Sequence, residues 1–224
     1  MTMYLIYFAI LLIVPMWAQS RVKGAYNKYS KVATSSGMSG AEVARRILND
    51  NGLHDVRIEE TKGVLTDHYD PRSKVVRLSS HNYHGNSVAG AAVAAHEVGH
   101  AIQDAENYSF LRIRHALVPV ASLGSNFSYF LIIGGFLLGS MNFVFLGILF
   151  MAAAVLFQVV TLPVEFNASN RAMNQMVSLG MIANNEERHT KKVLNAAALT
   201  YVAAAAVAVL ELTRFILMYL NNRN

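Results

Sequence analysis

Long uninterrupted apolar segments dominate the hydrophobic pattern of this chain. Three stretches, residues 3–18, 116–138 and 143–162, contain no charged side chain. A helix that spans a bilayer needs about 20 predominantly apolar residues, so each stretch is close to that length or exceeds it. Only a Gly-Ser-Met-Asn turn separates the second stretch from the third. This pair therefore predicts a transmembrane helical hairpin.

The first and last apolar stretches are the least typical membrane spans. Residues 3–18 have the length of a secretory signal sequence, but no Lys or Arg precedes them and a small-residue cleavage site is lacking. We therefore expect a retained anchor over residues 1–20. Residues 196–220 are long enough to span, yet they include Glu211 and Arg214, which are spaced to form an ion pair on one helix face.

The residues between the anchor and the hairpin have the pattern of a folded polar segment. SGMSGAEVARRILNDNGL predicts an amphipathic helix that begins near Ser39 or Gly40 and ends at Gly52. The β-rich runs VRIEE and KVVRLSS follow and predict a small sheet. A long helix rich in Ala and Gly comes next, and Asn86 or Ser87 can cap its start.

Positive charge is concentrated in the polar segments. The chain of 224 residues is 54% hydrophobic and carries a formal charge of +5. Of its 19 Lys and Arg residues, 13 lie between Arg21 and Arg114 and four between Arg171 and Lys192. Cytoplasmic loops of membrane proteins accumulate Lys and Arg, so both polar segments are expected in the cytoplasm and the N-terminus outside. No nucleic-acid-binding motif accompanies the charge, and we expect no nucleic-acid partner.

The predicted Ala-rich helix contains an H-E-x-x-H motif, His96-Glu97-Val98-Gly99-His100. Residues four apart lie on one helix face, so both imidazoles can bind one zinc ion. Glu97 lies one position further round the helix and can take a proton from an attacking water molecule. Since the chain has no cysteine, any further ligand must be His, Asp or Glu. The alternative is a pair of histidines that are only solvated or hydrogen-bonded.

A catalytic zinc site needs a third protein ligand, and two acids are candidates. Glu165 follows the predicted hairpin, which returns the chain to the side that carries the histidines. We expect Glu165 in the first turn of a new helix after Pro163, where the helix dipole alone would also favour an acid. Glu106 is the other candidate, because the longer metzincin pattern places its third ligand there. Gln103, however, replaces the Gly of that pattern.

Several blocks of sequence resemble the YugP-type neutral zinc metallopeptidases. DHYDPRSKVVRLS, AAHEVGHAIQ, VEFNASNRA and NAAALTYVAA carry this resemblance over most of the chain. More widely, the chain is similar to HtpX-like and CAAX prenyl-protease membrane gluzincins, in which an H-E-x-x-H helix and a later E-x-x-A-D motif surround zinc. The resemblance implies one Zn²⁺ ion, with Glu165 as third ligand beside the two histidines and Glu97 as general base. Ser169 stands in place of the Asp of the wider pattern, so Asn167 and Arg171 are candidates for its supporting role.

These observations predict a mainly α, polytopic membrane protein: a zincin-like metallopeptidase with a small β-sheet and about four transmembrane helices. The expected segments are an anchor at 1–20, a cytoplasmic zincin-like segment at 21–115, a transmembrane hairpin at 116–163, a cytoplasmic helix with the third ligand at 164–194 and a C-terminal transmembrane helix at 195–224. The expected function is zinc-dependent hydrolysis of peptide bonds in protein or peptide substrates. The protein would be a multi-pass protein of the cell membrane whose active site faces the cytoplasm.

Other interpretations of the same residues remain open at this point. In an intramembrane protease of the site-2 type the metal helix itself spans the bilayer, but the apolar run 88–98 is too short for that. A membrane scaffold that binds zinc without turnover would contain the same histidines. For a peptidase, an exposed sheet edge at KVVRLSS would allow an extended substrate to add a strand.

Overall fold

The computed structural model describes residues 2–223 and is mainly helical. In chain order its elements are α1 (Thr2–Tyr29), α2 (Gly40–Asp50), β1 (Arg57–Thr61), β2 (His68–Asp70), β3 (Val75–Ser79), α3 (Ser80–His84), α4 (Val88–Ala105), α5 (Ser109–Leu137), α6 (Met141–Ser178) and α7 (Asn184–Arg223). Within these described residues, four helices are long and apolar enough to cross a membrane, namely α1, α5, α6 and α7. The chain is therefore a mainly α, polytopic membrane protein with a small sheet, as the hydrophobic pattern predicts.

The chain forms two compact units, each built from separate parts of the sequence. The first unit comprises Met1–Met16, Ser109–Pro163 and Tyr201–Asn224, and the second comprises Trp17–Tyr108 and Val164–Thr200. Helices α1, α6 and α7 each contribute residues to both units. The five-segment division expected from the sequence remains a prediction.

Tight packing of α5 against α6 organises the first unit. Gly124 on α5 lies so close to α6 that a Cβ atom there would clash with the backbone carbonyl oxygen of Phe150. The turn between the two helices contains Gly139, whose φ of +65° favours glycine. Glu211, whose spacing from Arg214 would allow an ion pair, accepts a hydrogen bond from the hydroxyl group of Tyr129. The guanidinium of Arg214 instead lies over aromatic rings of the same unit.

In the second unit, α2 and α4 pack together around an apolar core. Ser39 caps α2 in a capping box with Glu42, and Gly52, with φ of +69°, follows its C-terminal end. The buried face of α2 is the one predicted, comprising Val43, Ala44, Ile47 and Leu48. The core continues along α4, where most alanines are fully buried.

The sheet of the second unit has three strands in the order β1-β3-β2. Strand β3 pairs parallel with β1 and antiparallel with β2. The prediction of an exposed edge at KVVRLSS is therefore wrong, because the strand formed by these residues, Val75–Ser79, is the central one. The short strand β2 was not predicted from the sequence. It pairs with β3 along the side that was expected to be an exposed edge.

Helix α6 continues without a break through Pro163. Proline removes one backbone donor, but membrane helices tolerate this when neighbouring groups satisfy the freed carbonyl or local geometry adjusts. Glu165 therefore lies in the interior of a 38-residue helix. The prediction of a new helix starting after Pro163 is wrong, and stabilisation by a helix N-terminus does not explain an acid at this position.

Candidate metal centre

Helix α4 places the two histidines of the H-E-x-x-H motif side by side. Its start is fixed by Ser87, whose side chain accepts a hydrogen bond from the backbone N–H of Gly90. His96 and His100 follow one turn apart, and their ring centroids are 4.8 Å apart. Both side chains are largely buried, with 14% and 12% of their surface exposed. The helix thus presents two imidazoles at the margin of the core.

Glu165 on α6 completes a cluster with these histidines. Its Oε2 atom lies 3.3 Å from Nε2 of His96 and 3.7 Å from Nε2 of His100. One ligand atom from each of the three residues lies within 4.8 Å of the others. Ligands bound to a tetrahedral zinc ion at about 2.0–2.1 Å lie about 3.3–3.4 Å from each other. The donor types and their spacing therefore fit a zinc ion.

The tautomer of His100 is set by a hydrogen-bond network around Gln103. The Nε2 amide group of Gln103 donates to the carbonyl of Val164 at 2.8 Å and to Oδ1 of Asn167 at 2.9 Å. This fixes the amide so that its Oε1 atom faces His100 Nδ1, 3.0 Å away. Since Oε1 can only accept, Nδ1 must carry the proton. The lone pair of His100 Nε2 is then directed at the cluster, as a metal ligand requires.

His96 has a hydrogen-bond partner in Ser169. The Oγ atom of this buried serine lies 3.2 Å from Nδ1 of His96 and can accept a hydrogen bond from a protonated Nδ1 or donate one to an unprotonated Nδ1. In the wider resemblance noted in the sequence, Ser169 stands at the position of an Asp. A hydroxyl at this position can still orient the imidazole, although it cannot supply the negative charge of a carboxylate.

Asn167 and Arg171, the residues predicted to replace the missing Asp, act one step further from the cluster. Asn167 Oδ1 accepts from both Gln103 and the Nε group of Arg171, the latter at 2.7 Å. Arg171 also forms an ion pair of 2.7 Å with Glu106, which lowers the pKa of that carboxyl. Glu106 is exposed and paired with Arg171. Of the two acids predicted as a third ligand, Glu165 lies with the histidines, and Glu106 lies outside the cluster.

The pKa of His100 is affected by the buried carboxylate beside it. Burial alone would lower its pKa, but the hydrogen bond and charge of Glu165 raise it above the usual value, with smaller contributions from Glu97 and Gln103. A proton and a metal ion compete for the same Nε2 atom. Metal binding at this cluster is therefore coupled to proton release.

Glu97 lies on the same helix as the histidines but outside the group of three. Its side chain is partly exposed, in contrast to the buried Glu165. A partly exposed carboxylate next to His96 in the chain can exchange protons with solvent water.

The glycine of the H-E-x-x-H motif allows α4 and α6 to approach closely. A Cβ atom at Gly99 would lie 2.6 Å from the backbone carbonyl oxygen of Ala168, well inside the closest normal contact. Because that oxygen belongs to the backbone, the two helices would have to separate. Glu165 and Ser169 flank Ala168, so their distances to the histidines depend on this contact.

We expect Gly99→Ala to lower both the unfolding temperature and the zinc affinity. Overpacking of this kind costs about 1–3 kcal/mol, and here it also displaces Glu165 from the two histidines. Gly24→Ala is the matched control, since a Cβ atom there meets nothing within 4 Å. Thermal unfolding and competition with a zinc-binding dye measure the two effects. Parental stability and zinc affinity in Gly99→Ala would contradict the close contact.

Gln103 is the residue of the site that sequence reasoning missed as a ligand support. In the sequence, Gln103 stands out only as a departure from the metzincin pattern. Its position three residues after His100 nevertheless indicates that the two side chains can touch, because residues three apart share a helix face. We expect Gln103→Leu to weaken zinc binding by about 10- to 100-fold, the usual effect of losing such a partner. Competition with a zinc-binding dye measures this affinity. Equal zinc affinity in Gln103→Leu and the parent would show that the amide does not orient His100.

The chain is similar in sequence to known proteins. The chain is 56% identical over 208 residues to the "Putative membrane protease YugP" of Bacillus subtilis (strain 168), and the match covers 93% of this chain and 92% of that protein. No solved structure matches. A family model described as "Putative neutral zinc metallopeptidase" matches residues 4–220. Over nearly its whole length, then, the chain is a member of this family of neutral zinc metallopeptidases.

Proposed function

We propose that this protein is a membrane-bound peptidase that uses one zinc ion to hydrolyse peptide bonds of cytoplasm-facing protein or peptide substrates. The observation that carries the proposal is the buried cluster of His96, His100 and Glu165, whose atoms have the spacing of zinc ligands. Family membership and the relative's description as a membrane protease support the same reaction class.

In this proposal, Nε2 of each histidine and one carboxylate oxygen of Glu165 hold the zinc ion. Bound zinc supplies a Lewis acid that lowers the pKa of a coordinated water toward about 7 and polarises the scissile carbonyl. Gln103 holds His100 in the tautomer that leaves Nε2 free. The Ser169 hydroxyl orients the imidazole of His96 and can accept a hydrogen bond from its Nδ1–H group when Nε2 binds the metal. Glu165 is buried and both histidine side chains are largely buried, which would limit the access of solvent to a metal held there.

Glu97 is proposed to be the general base and then the general acid. Its carboxylate accepts the proton of the attacking water and later delivers it to the leaving amine. Hydrolysis then requires no covalent link between the chain and its substrate. A scaffold that merely binds zinc would not require a carboxylate at this position, which makes Glu97 the residue that separates the two functions.

The direct test is incubation of the purified full-length protein with an unstructured peptide. We expect new amino termini to accumulate and a chelator to stop their appearance. A zinc-loaded preparation that cleaves no peptide among a diverse set of unstructured sequences would favour the scaffold function instead.

The cytoplasmic orientation of the site rests on the distribution of Lys and Arg. Because the chain has no cysteine, single cysteines report topology directly. We expect Lys62→Cys and Arg188→Cys, both at exposed positions, to resist a membrane-impermeant thiol reagent in intact cells. Asn142→Cys, beside the turn between α5 and α6, should be labelled and serves as the control. Labelling of positions 62 and 188, with position 142 protected, would reverse the proposed topology.

A further inference from the structure

A groove in the second unit lies between the C-terminal part of α1 and the N-terminal part of α7. It encloses about 740 Å³, within the range of small-molecule sites. Its lining consists of Ser20, Arg21, Gly24, Ala25, Lys28, Tyr29, Lys192, Asn195, Ala196 and Leu199. Three of these ten residues are cations and none is an acid. The groove is therefore suited to an anion rather than to a neutral or cationic molecule.

Helical spacing shows that the cations belong to two facing stripes. On α1 the lining positions 21, 24, 25 and 28 follow the i, i+3, i+4, i+7 pattern of a single helix face, and on α7 positions 192, 195, 196 and 199 repeat it. Arg21 and Lys28 are two turns apart on the first face, and Lys192 lies on the second. At Gly24 the groove has open space, because a Cβ atom there would meet nothing within 4 Å. The two faces thus leave a basic cleft in which a phosphate group has room.

The groove adjoins the apolar parts of both helices. Arg21 comes three residues after Ala18, where the first apolar stretch ends. This separation is about 4.5 Å along the helix axis. Lys192 comes four residues before Ala196, where the last apolar stretch begins, about 6 Å along α7. Ala196 and Leu199 also give the groove an apolar wall. An occupant with a charged head and an apolar body matches this arrangement better than free phosphate does.

We propose that this groove binds the phosphate headgroup of an anionic membrane phospholipid. Arg21, Lys28 and Lys192 supply the charge, and the side chains of Ser20 and Asn195 supply uncharged hydrogen-bonding groups. Basic pockets between membrane helices at the bilayer surface bind such lipids. The proposal requires only that the protein is embedded in a membrane and does not depend on the proposed peptidase activity.

Trp17 provides a built-in reporter of lipid at this site. It is the single tryptophan of the chain, is 53% exposed and lies one helical turn before Arg21. The full-length protein would be placed in phosphatidylcholine vesicles in which a fraction of the lipid has brominated chains, which quench tryptophan fluorescence on contact. We expect quenching of Trp17 to show that brominated phosphatidylglycerol is enriched around it by at least about fivefold over brominated phosphatidylcholine. Fivefold corresponds to the attraction of about one basic residue to an anionic lipid surface.

Two kinds of variant distinguish the groove from general surface charge. The triple variant Arg21→Gln, Lys28→Gln, Lys192→Gln should lose the preference, whereas Lys23→Gln, Lys31→Gln, Lys191→Gln removes the same charge from exposed positions outside the lining and should keep it. Gly24→Leu fills the open space without changing charge and should also lose it, while Gly24→Ala should not. Circular dichroism verifies that each variant remains folded. Equal preference in the two triple variants, or an unchanged preference in Gly24→Leu, would overturn the proposal.

Free phosphate is distinguished from lipid in a separate arm. Inorganic phosphate is titrated into the detergent-solubilised protein and into vesicles that contain phosphatidylglycerol. We expect phosphate to leave the lipid preference intact at millimolar concentration. Tight binding of inorganic phosphate, together with no preference for phosphatidylglycerol, would assign the groove to a soluble phosphate compound and contradict the lipid proposal.

Discussion

Glu97→Gln is expected to reduce peptide hydrolysis by at least about 10²-fold while zinc content and fold remain close to those of the parent. The substitution keeps the size of the side chain but removes its ability to accept a proton from water. Glu97 is partly exposed and lies outside the cluster of His96, His100 and Glu165, so the substitution leaves the three proposed ligands intact. Initial rates on an unstructured peptide, together with zinc analysis of the same sample, give both quantities.

Glu187→Gln is the matched control for this prediction. It makes the same chemical change on α7, in a part of the chain to which we assign no role in hydrolysis. We expect its rate to equal the parental rate. If Glu97→Gln cleaved peptide as fast as this control, the activity would belong to another site or to a contaminating enzyme.

Glu165→Ala is expected to lower zinc affinity by more than the roughly 10- to 100-fold typical of losing a supporting hydrogen bond, because it removes a ligand itself. The carboxylate is buried and lies 3.3 Å from Nε2 of His96. His96→Ala and His100→Ala should have effects of similar size. Zinc bound per chain, measured after dialysis against a weak chelator, is the readout.

Glu106→Ala tests the alternative, metzincin-like ligand set, in which Glu106 takes the place of Glu165. Glu106 is engaged by Arg171, so its removal should leave zinc close to one ion per chain. The opposite pattern, with zinc retained in Glu165→Ala and lost in Glu106→Ala, would show that the wrong acid was chosen as third ligand.

The histidine spacing and the order of apolar stretches were the most informative parts of the sequence. A four-residue spacing on an Ala-rich helix places two imidazoles on one face whatever the surrounding fold. Apolar runs of about 20 residues likewise specify membrane helices with little dependence on tertiary contacts. These local features predicted the mainly α membrane architecture and selected His96 and His100 as ligand candidates.

Features that depend on contacts between residues far apart in the chain could not be predicted from the sequence. Proline normally interrupts a helix, yet α6 continues through Pro163, because a helix in an apolar environment gains more from completing its remaining backbone hydrogen bonds than it loses at one position. The position of β3 at the centre of the sheet follows from its pairing with β2, a strand of three residues too short to predict from its pattern. The contact of Gln103 with Asn167 joins residues 64 positions apart.

Zinc titration of the chelated wild-type protein tests the central proposal most directly. The protein is stripped of metal, zinc is returned in measured amounts, and the initial rate of peptide cleavage is recorded at each step. The ligand cluster predicts no hydrolysis without metal and a rate that rises linearly to a plateau at one zinc ion per chain. Hydrolysis that survives complete removal of zinc, or that stays absent when the ion is fully bound, would contradict a zinc peptidase centred on His96, His100 and Glu165.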